Sequence, residues 1–217
     1  MEIINLGEQN TIFNHFISEI RDVIIQNDPM RFRRNIERIG EIFAYEISKK
    51  MEYTEKKIKT PLGISSERLM IEKPVLATIL RAGLPLHQGL LNYFDDSDNA
   101  FISAYRDHSQ GSDFEIKIEY MASPDLEDRI LILCDPMLAS GASMVLALEA
   151  ILTRGNPKHI HIVSVISSSA GIDYLKKNLP IKSCTLWVGA KDDKMTAQSY
   201  IVPGLGDAGD LSFGKKY

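Results

Sequence analysis

Five apolar runs, each six residues long, constrain this chain most: VLATIL (75–80), AFISAY (100–105), RILILC (129–134), HIVSVI (161–166) and CTLWVG (184–189). A strand with one wet face alternates apolar and polar residues, whereas a strand covered on both faces reads as a nearly continuous apolar run. Helical patterns fall between the runs, near 84–94, 142–154 and 170–178. Strands alternating with helices predict an α/β fold: a mostly parallel central sheet flanked by helices. Such sheets bind ligands in the crevice outside the carboxyl ends of their strands. FEIKIEYM (114–121) instead alternates with period two, which suits an edge strand or a flap beside Gly111.

Ahead of the sheet, Phe13, Phe16, Ile17, Ile20 and Ile24 share one helical face. A second helix starts at Asp28-Pro29, a good cap and first-turn pair, and carries Phe32, Ile36, Ile39, Phe43 and Ile47 inward. Arg31, Arg33, Arg34 and Arg38 are expected to face solvent or another subunit. Residues 54–70 are polar, with Pro61 and Gly63, and suit a hairpin or projecting arm. No repeat or interdomain linker interrupts the chain. We therefore expect a single domain over 1–217, made of N-terminal helices (1–53), the arm (54–70), an α/β core (71–190) and a C-terminal segment (191–217).

With 217 residues, 44% of them hydrophobic, the chain can bury a sizeable core. A net charge of −4 lends no support to a general nucleic-acid or membrane surface. No apolar run approaches the ~20 residues needed to span a bilayer. The opening MEIINLGEQN lacks the basic-then-apolar order of a signal peptide, so cytoplasmic placement is expected. Cys134 and Cys184 lie in apolar runs and read as buried thiols rather than a disulfide framework.

The stretch RILILCDPMLASGASMVLALEAIL (129–152) carries the most chemistry. A buried strand ends at Cys134, Asp135 follows, and a turn with Ser140, Gly141 and Ser143 leads into an apolar helix. Glycine lets the backbone approach an anion. The first helical turn has N–H groups without partners, and the helix dipole favours negative charge there. Serine hydroxyls add donors, and Asp135 can accept from sugar hydroxyls. The residues alone fit a phosphate cradle or an ordinary serine-capped turn. The lysine of a Walker loop is absent, and no G-x-G-x-x-G follows any of the five apolar runs.

DPMLASGAS (135–143) resembles the phosphoribosyl pyrophosphate (PRPP) signature of the uracil phosphoribosyltransferases, commonly DPMLATGGS. The Asp135-Pro136 start matches that branch; Ser140 replaces a threonine, and Ala142 replaces a glycine. TILRAGLPLHQG (78–89) is similar to the family's PILRAGLGMVDG, although Pro85, His87 and Gln88 depart from it. SAYRDHSQG (103–111) is similar to its MYRNE segment, and RFRRNIERIGEIFAYE (31–46) to RFRELxxxxGxLLxYE. YIVPGLGDAGDLSFG (200–214) is close to YIIPGLGDAGDRIFG, whereas KDDKMTAQS (191–199) departs from the usual LNEHG run.

The resemblance implies a type I phosphoribosyltransferase fold and the reaction of uracil with PRPP to give UMP and diphosphate, a pyrimidine salvage step. It implies PRPP contacts from Arg81, Arg106, Asp135, Pro136, Met137, Leu138, Ala139, Ser140, Gly141, Ala142, Ser143 and Asp207. It implies uracil contacts from Ile201, Gly206, Asp207 and Ala208, with Asp207, Arg106 and Arg81 nearest the chemistry. Mg²⁺ is expected to arrive with PRPP, since no protein cluster has convincing ligand spacing. Relatives form dimers or larger homo-oligomers, and some respond to GTP. His87, His159 and His161 read as packing residues, and Asp107 and His108 as part of a solvated flap. Two rival readings are a nucleotide-binding regulator on this fold that binds RNA, and a transferase for another base such as a purine or orotate. Salt-sensitive RNA binding would mark the first; a substrate panel would mark the second.

Overall fold

A computed structural model of the chain describes all residues except 108–114, 182 and 217; side chains are described outside 104–117, 182 and 217. The chain opens with β1 (Glu2–Asn5) and α1 (Ile12–Arg21). Thr11 caps α1 by accepting from the Phe13 N–H. Helix α2 (Pro29–Ser48) begins as expected: the Asp28 carboxylate accepts from the Met30 and Arg31 N–H groups, and Pro29 occupies the first turn. Its five expected inner residues are buried.

Ile24 does not join the face of α1. The helix stops at Arg21, and Ile24 is 80% exposed. The Asp22 carboxylate accepts from the Ile24 and Ile25 N–H groups, a local bond that competes with continuing the helix. The arginines of α2 also differ from expectation. Arg31 forks onto Glu19 at 2.6 and 3.0 Å, Arg33 donates to the Ser212 carbonyl at 2.6 Å, and Arg38 lies over the Phe16 ring. These three tie α2 to other parts of the chain, since α1 and the C-terminal helix lie beside that face, although the Arg31 side chain stays 49% exposed, as expected of a solvated group. Arg34 remains a surface group, paired with Glu37.

The polar segment forms a hairpin of β2 (Tyr53–Thr60) and β3 (Gly63–Met70), a separate two-stranded sheet with nearly every residue exposed. The core follows as β4 (Val75–Leu80), α3 (Leu84–Leu91), β5 (Asp98–Asp107), β6 (Glu115–Ala122), β7 (Ile130–Cys134), β8 (Met137–Leu138), α4 (Ala142–Ile151), β9 (His159–Ser168), α5 (Ser169–Asn178) and β10 (Cys184–Asp192). The chain ends with β11 (Lys194–Met195), β12 (Ile201–Val202) and α6 (Ala208–Phe213).

The main sheet runs β1-β10-β9-β7-β4-β5-β6, with β8 beside β9. All its pairings are parallel except β5 with β6, the strand whose alternation marked it as an edge. One face packs against α1, α2 and α3 through residues such as Phe13, Phe43 and Leu86. The other packs against α4 and α5 through Met144, Leu148 and Leu175. Helices α2 and α3 meet backbone to backbone: a Cβ at Gly89 would lie 2.0 Å from the Glu37 carbonyl, and one at Gly40 would lie 2.5 Å from that of Leu86.

This strand order positions the site. From β4 the chain crosses to β5 on one side; from β7 it crosses to β9 on the other. The loops leaving β4 and β7 therefore part, and a crevice opens between their carboxyl ends. The Thr78 hydroxyl donates to the Cys134 carbonyl at 3.3 Å and ties the two strands just below it.

Candidate active site

The loop after β7 is stitched to its neighbours along its length. Asp135 N–H donates to the Val163 carbonyl, and the Pro136 carbonyl accepts from Ile166 N–H. Leu138 N–H donates to Ser164 Oγ at 3.1 Å, and Ser168 Oγ donates to the Ala139 carbonyl at 2.5 Å. Gly141 then turns the chain at φ +84°, where a Cβ would sit 2.8 Å from the Gly171 carbonyl. The need for a left-handed residue falls there and not on Ala142, which opens α4. Alanine in place of the family's glycine is therefore compatible with the loop. The N–H groups of this first turn have no intrahelical acceptors. Burial pushes the Asp135 carboxyl up to about 7, with the Met137 N–H holding it down slightly.

In the turn after β4, the Leu80–Arg81 peptide bond is cis, and Gly83 N–H donates to the Ile79 carbonyl. The Arg81 guanidinium leans toward the C-terminal segment. Its Nη2 donates to the Gly214 carbonyl at 3.2 Å and lies 3.7 Å from an Asp210 oxygen, while its Nε is buried without a partner. His87 is buried on α3 against the Phe101 ring, and desolvation lowers its pKa. Arg106 lies on β5 opposite Ile116, but its side chain is outside the described residues, as are His108 and the rest of the flap tip.

The C-terminal loop descends from the small β11–β12 pairing. Asp207 caps α6, with its Oδ1 accepting from Asp210 N–H at 2.9 Å, a role the sequence reading did not assign. Upstream, Arg21 and Asp192 form a two-pronged ion pair that also holds Gly204. Burial opposes the charged form of Asp192, but Arg21 and the Gly204 N–H outweigh it and keep the carboxyl below its ordinary value.

The segments meet at one cleft of about 190 Å³, lined by Ala82, Asp135, Met137 to Gly141, Ser143, Ser199 to Ile201, and Gly206 to Gly209. A second cleft of about 140 Å³ shares Ala82, Asp135, Ser143, Asp207 and Gly209 with it, and adds Arg81 and Lys216. Pro136 and Ala142 line neither. Ser199, Tyr200, Gly209 and Lys216 were not singled out from the sequence; the first two lie where the chain departs from or borders the resemblance. His159 and His161 lie elsewhere: His161 Nδ1 accepts from the Trp187 indole at 3.1 Å, and His159 sits between Ser183 and Thr185. Burial lowers the pKa of His161 to about 3 and also lowers that of His159, in keeping with packing roles for both.

A family model described as uracil phosphoribosyltransferase matches residues 8–215. The chain is 56% identical over 216 residues to a protein of that name from Porphyromonas gingivalis, covering 100% of both. It is 38% identical over 191 residues to another of that name from Methanothermobacter thermautotrophicus, covering 87% of this chain and 86% of that one. A solved structure of a protein from Aquifex aeolicus superposes with a TM-score of 0.86 at 27% identity, over 98% of each chain. Its likeness extends through the N-terminal helices and the C-terminal loop as well as the sheet. With a family match from end to end and a full-length relative at that identity, the chain belongs to the uracil phosphoribosyltransferase family.

Proposed function

We propose that this chain transfers the phosphoribosyl group of PRPP to N1 of uracil, giving UMP and diphosphate. The observation that carries the reading is the convergence of three distant segments, after β4, after β7 and around Asp207, on the crevice between β4 and β7. The 5′-phosphate sits on the first turn of α4 and the hydroxyls of Ser140 and Ser143. Asp135 accepts from the ribose hydroxyls. Arg81 and Arg106 offset the diphosphate charge, with Arg81 releasing the Gly214 carbonyl to do so. The N1–C1′ bond forms as the bond from C1′ to diphosphate oxygen breaks, and positive charge grows on the ribose ring. Positioning and fixed electrostatics therefore supply the catalysis.

Asp135 and Asp207 line the same cleft and offer the hard oxygen donors that Mg²⁺ takes beside substrate phosphates. Mg²⁺ bound there would neutralise diphosphate charge. Backbone groups of Ile201, Gly206 and Ala208 read the two carbonyls and the N3–H of uracil. Cytosine leaves two of these groups mismatched. At about 1–3 kcal/mol each, this corresponds to roughly 10²–10⁴ in discrimination.

The β2–β3 hairpin exposes Ile58, Leu62, Ile64 and Leu69, apolar side chains with no cover in a single chain, which supports pairing with a second copy. Among the described residues no helix is long and apolar enough to cross a membrane. Placement in the cytoplasm stays part of the proposal. GTP is retained as an effector to be tested. The assay is UMP formation from uracil and PRPP, with and without GTP and Mg²⁺, beside a panel of other bases. Failure to form UMP, with clean turnover of another base, overturns the assignment.

A further inference from the structure

Arg21 is the last residue of α1, and Asp192 the last of β10, 171 positions away. Their side chains meet in parallel, Nη1 to Oδ2 at 2.8 Å and Nη2 to Oδ1 at 2.9 Å. Both then hold one residue of the C-terminal loop. Arg21 Nη1 donates to the Gly204 carbonyl at 2.9 Å, and Gly204 N–H donates to Asp192 Oδ2 at 2.9 Å. Four hydrogen bonds thus close around a single peptide segment. The clamp is largely sheltered: the Arg21 side chain is 21% exposed and that of Asp192 is 7% exposed. Neither residue lines the cleft.

The position of this clamp gives it a purpose. Gly204 lies between Ile201 and Gly206, in the middle of the backbone assigned above to uracil. The loop is also held by β12, whose two residues pair with the two of β11, by the short helix α6, and by the buried side chains of Ile201, Leu205 and Ala208; none of these bonds the Gly204 peptide. A side chain that reads a ligand can adjust by rotating. A backbone N–H or C=O cannot, so its aim is set by whatever fixes the chain. An error of about 1 Å in such placement can cost on the order of 100-fold in rate. The planar guanidinium suits the task, because it engages both carboxylate oxygens and a carbonyl at once, which an ammonium does not.

We infer that Arg21 and Asp192 are positioning residues for the base half of the site: they set the height and tilt of the Ile201–Ala208 backbone, and through it uracil affinity and base discrimination, without touching substrate. The inference rests on the base-loop reading. It assigns a function to the carboxyl end of α1, to which the sequence reading gave none.

The test is a KM split. Arg21→Met should raise the uracil KM by roughly 10–100-fold while moving the PRPP KM by no more than about twofold. The preference for uracil over cytosine should fall in parallel. Arg21→Lys should restore part of the loss, and Asp192→Asn should behave like Arg21→Met. Where a single variant does not fold, the paired change Arg21→Met with Asp192→Leu removes both charges together and keeps the reading available. An unchanged uracil KM in a folded variant overturns the inference. So does an equal rise in both KM values with a fall in Tm, the signature of a purely structural pair. Gly206→Ala, where a Cβ meets no neighbour within 4 Å but φ is +92°, perturbs the loop itself. If it shifts uracil KM and the clamp variants do not, only the clamp inference falls. If neither shifts it, the base-loop reading falls and takes the clamp with it.

Discussion

Replacing Asp135 by asparagine removes a charge that the free protein carries at a cost. Burial raises this carboxyl from 3.8 to about 7. Each pH unit between the two values is worth about 1.36 kcal/mol, so the ceiling is roughly 4 kcal/mol above pH 7. The residue is only partly enclosed by the cleft, and water in the cleft reduces this to about 1–3 kcal/mol. The sign follows from proton binding. Below the unfolded value both states are protonated and nothing is lost. Between the two values the unfolded chain gives up a proton that the folded chain keeps, so stability falls as pH rises toward 7. Above that the full cost applies. Asp135→Asn avoids it, and at pH 8 the variant should melt roughly 2–10 °C higher than wild type, for a domain of this size. The gain should shrink toward nothing near pH 4. Turnover should move the opposite way. An amide nitrogen cannot accept from a ribose hydroxyl, and each lost charged hydrogen bond costs about 1.5–3 kcal/mol, or roughly 10–150-fold. Thermal unfolding by circular dichroism at pH 4.5 and pH 8, beside UMP formation, measures both. A variant with the same stability gain at both pH values refutes the burial argument. Near-normal turnover removes Asp135 from the sugar.

Asp207→Asn should lose most turnover yet keep Tm within about 2 °C, because asparagine caps a helix as well as aspartate does; normal uracil turnover would take Asp207 out of the site. Arg81→Lys should raise the KM for PRPP and weaken diphosphate inhibition by roughly 10-fold or more, one lost fork contact, with uracil KM unchanged; equal effects on both substrates would argue against a diphosphate role. Gly141→Ala meets both a left-handed backbone and the Gly171 carbonyl, and should cost about 1–3 kcal/mol by urea unfolding along with PRPP affinity; a neutral variant would show that the loop adopts another conformation.

The sheet was legible because strands covered on both faces leave uninterrupted apolar runs, and the edge strand β6 because one wet face restores alternation. The start of α2 was legible because its cap is local, an aspartate followed by proline. What escaped was set by competition or by distance. Ile24 keeps helical spacing, but Asp22 offers its backbone a nearer partner. Arg31, Arg33 and Arg38 look like a solvent face until Glu19, Ser212 and Phe16 arrive from elsewhere. The cleft's glycines, serines and acids were visible as motifs. The clamp around Gly204 was not, since no local pattern joins Arg21 to a carbonyl 183 positions away.

The contact of α2 with α3 through Gly40 and Gly89 reaches further than packing. Helix α3 begins directly after the turn that carries Arg81, so its seat fixes that turn. Because the two backbones touch, no side chain can yield to absorb a change there. One added methyl group must displace the whole of α3, and Arg81 with it, relative to the loop after β7. The opening fifty residues are thus a gauge block for the gap between two loops they never enter. Variation in α2 should therefore register first as altered handling of diphosphate, even where the fold survives it.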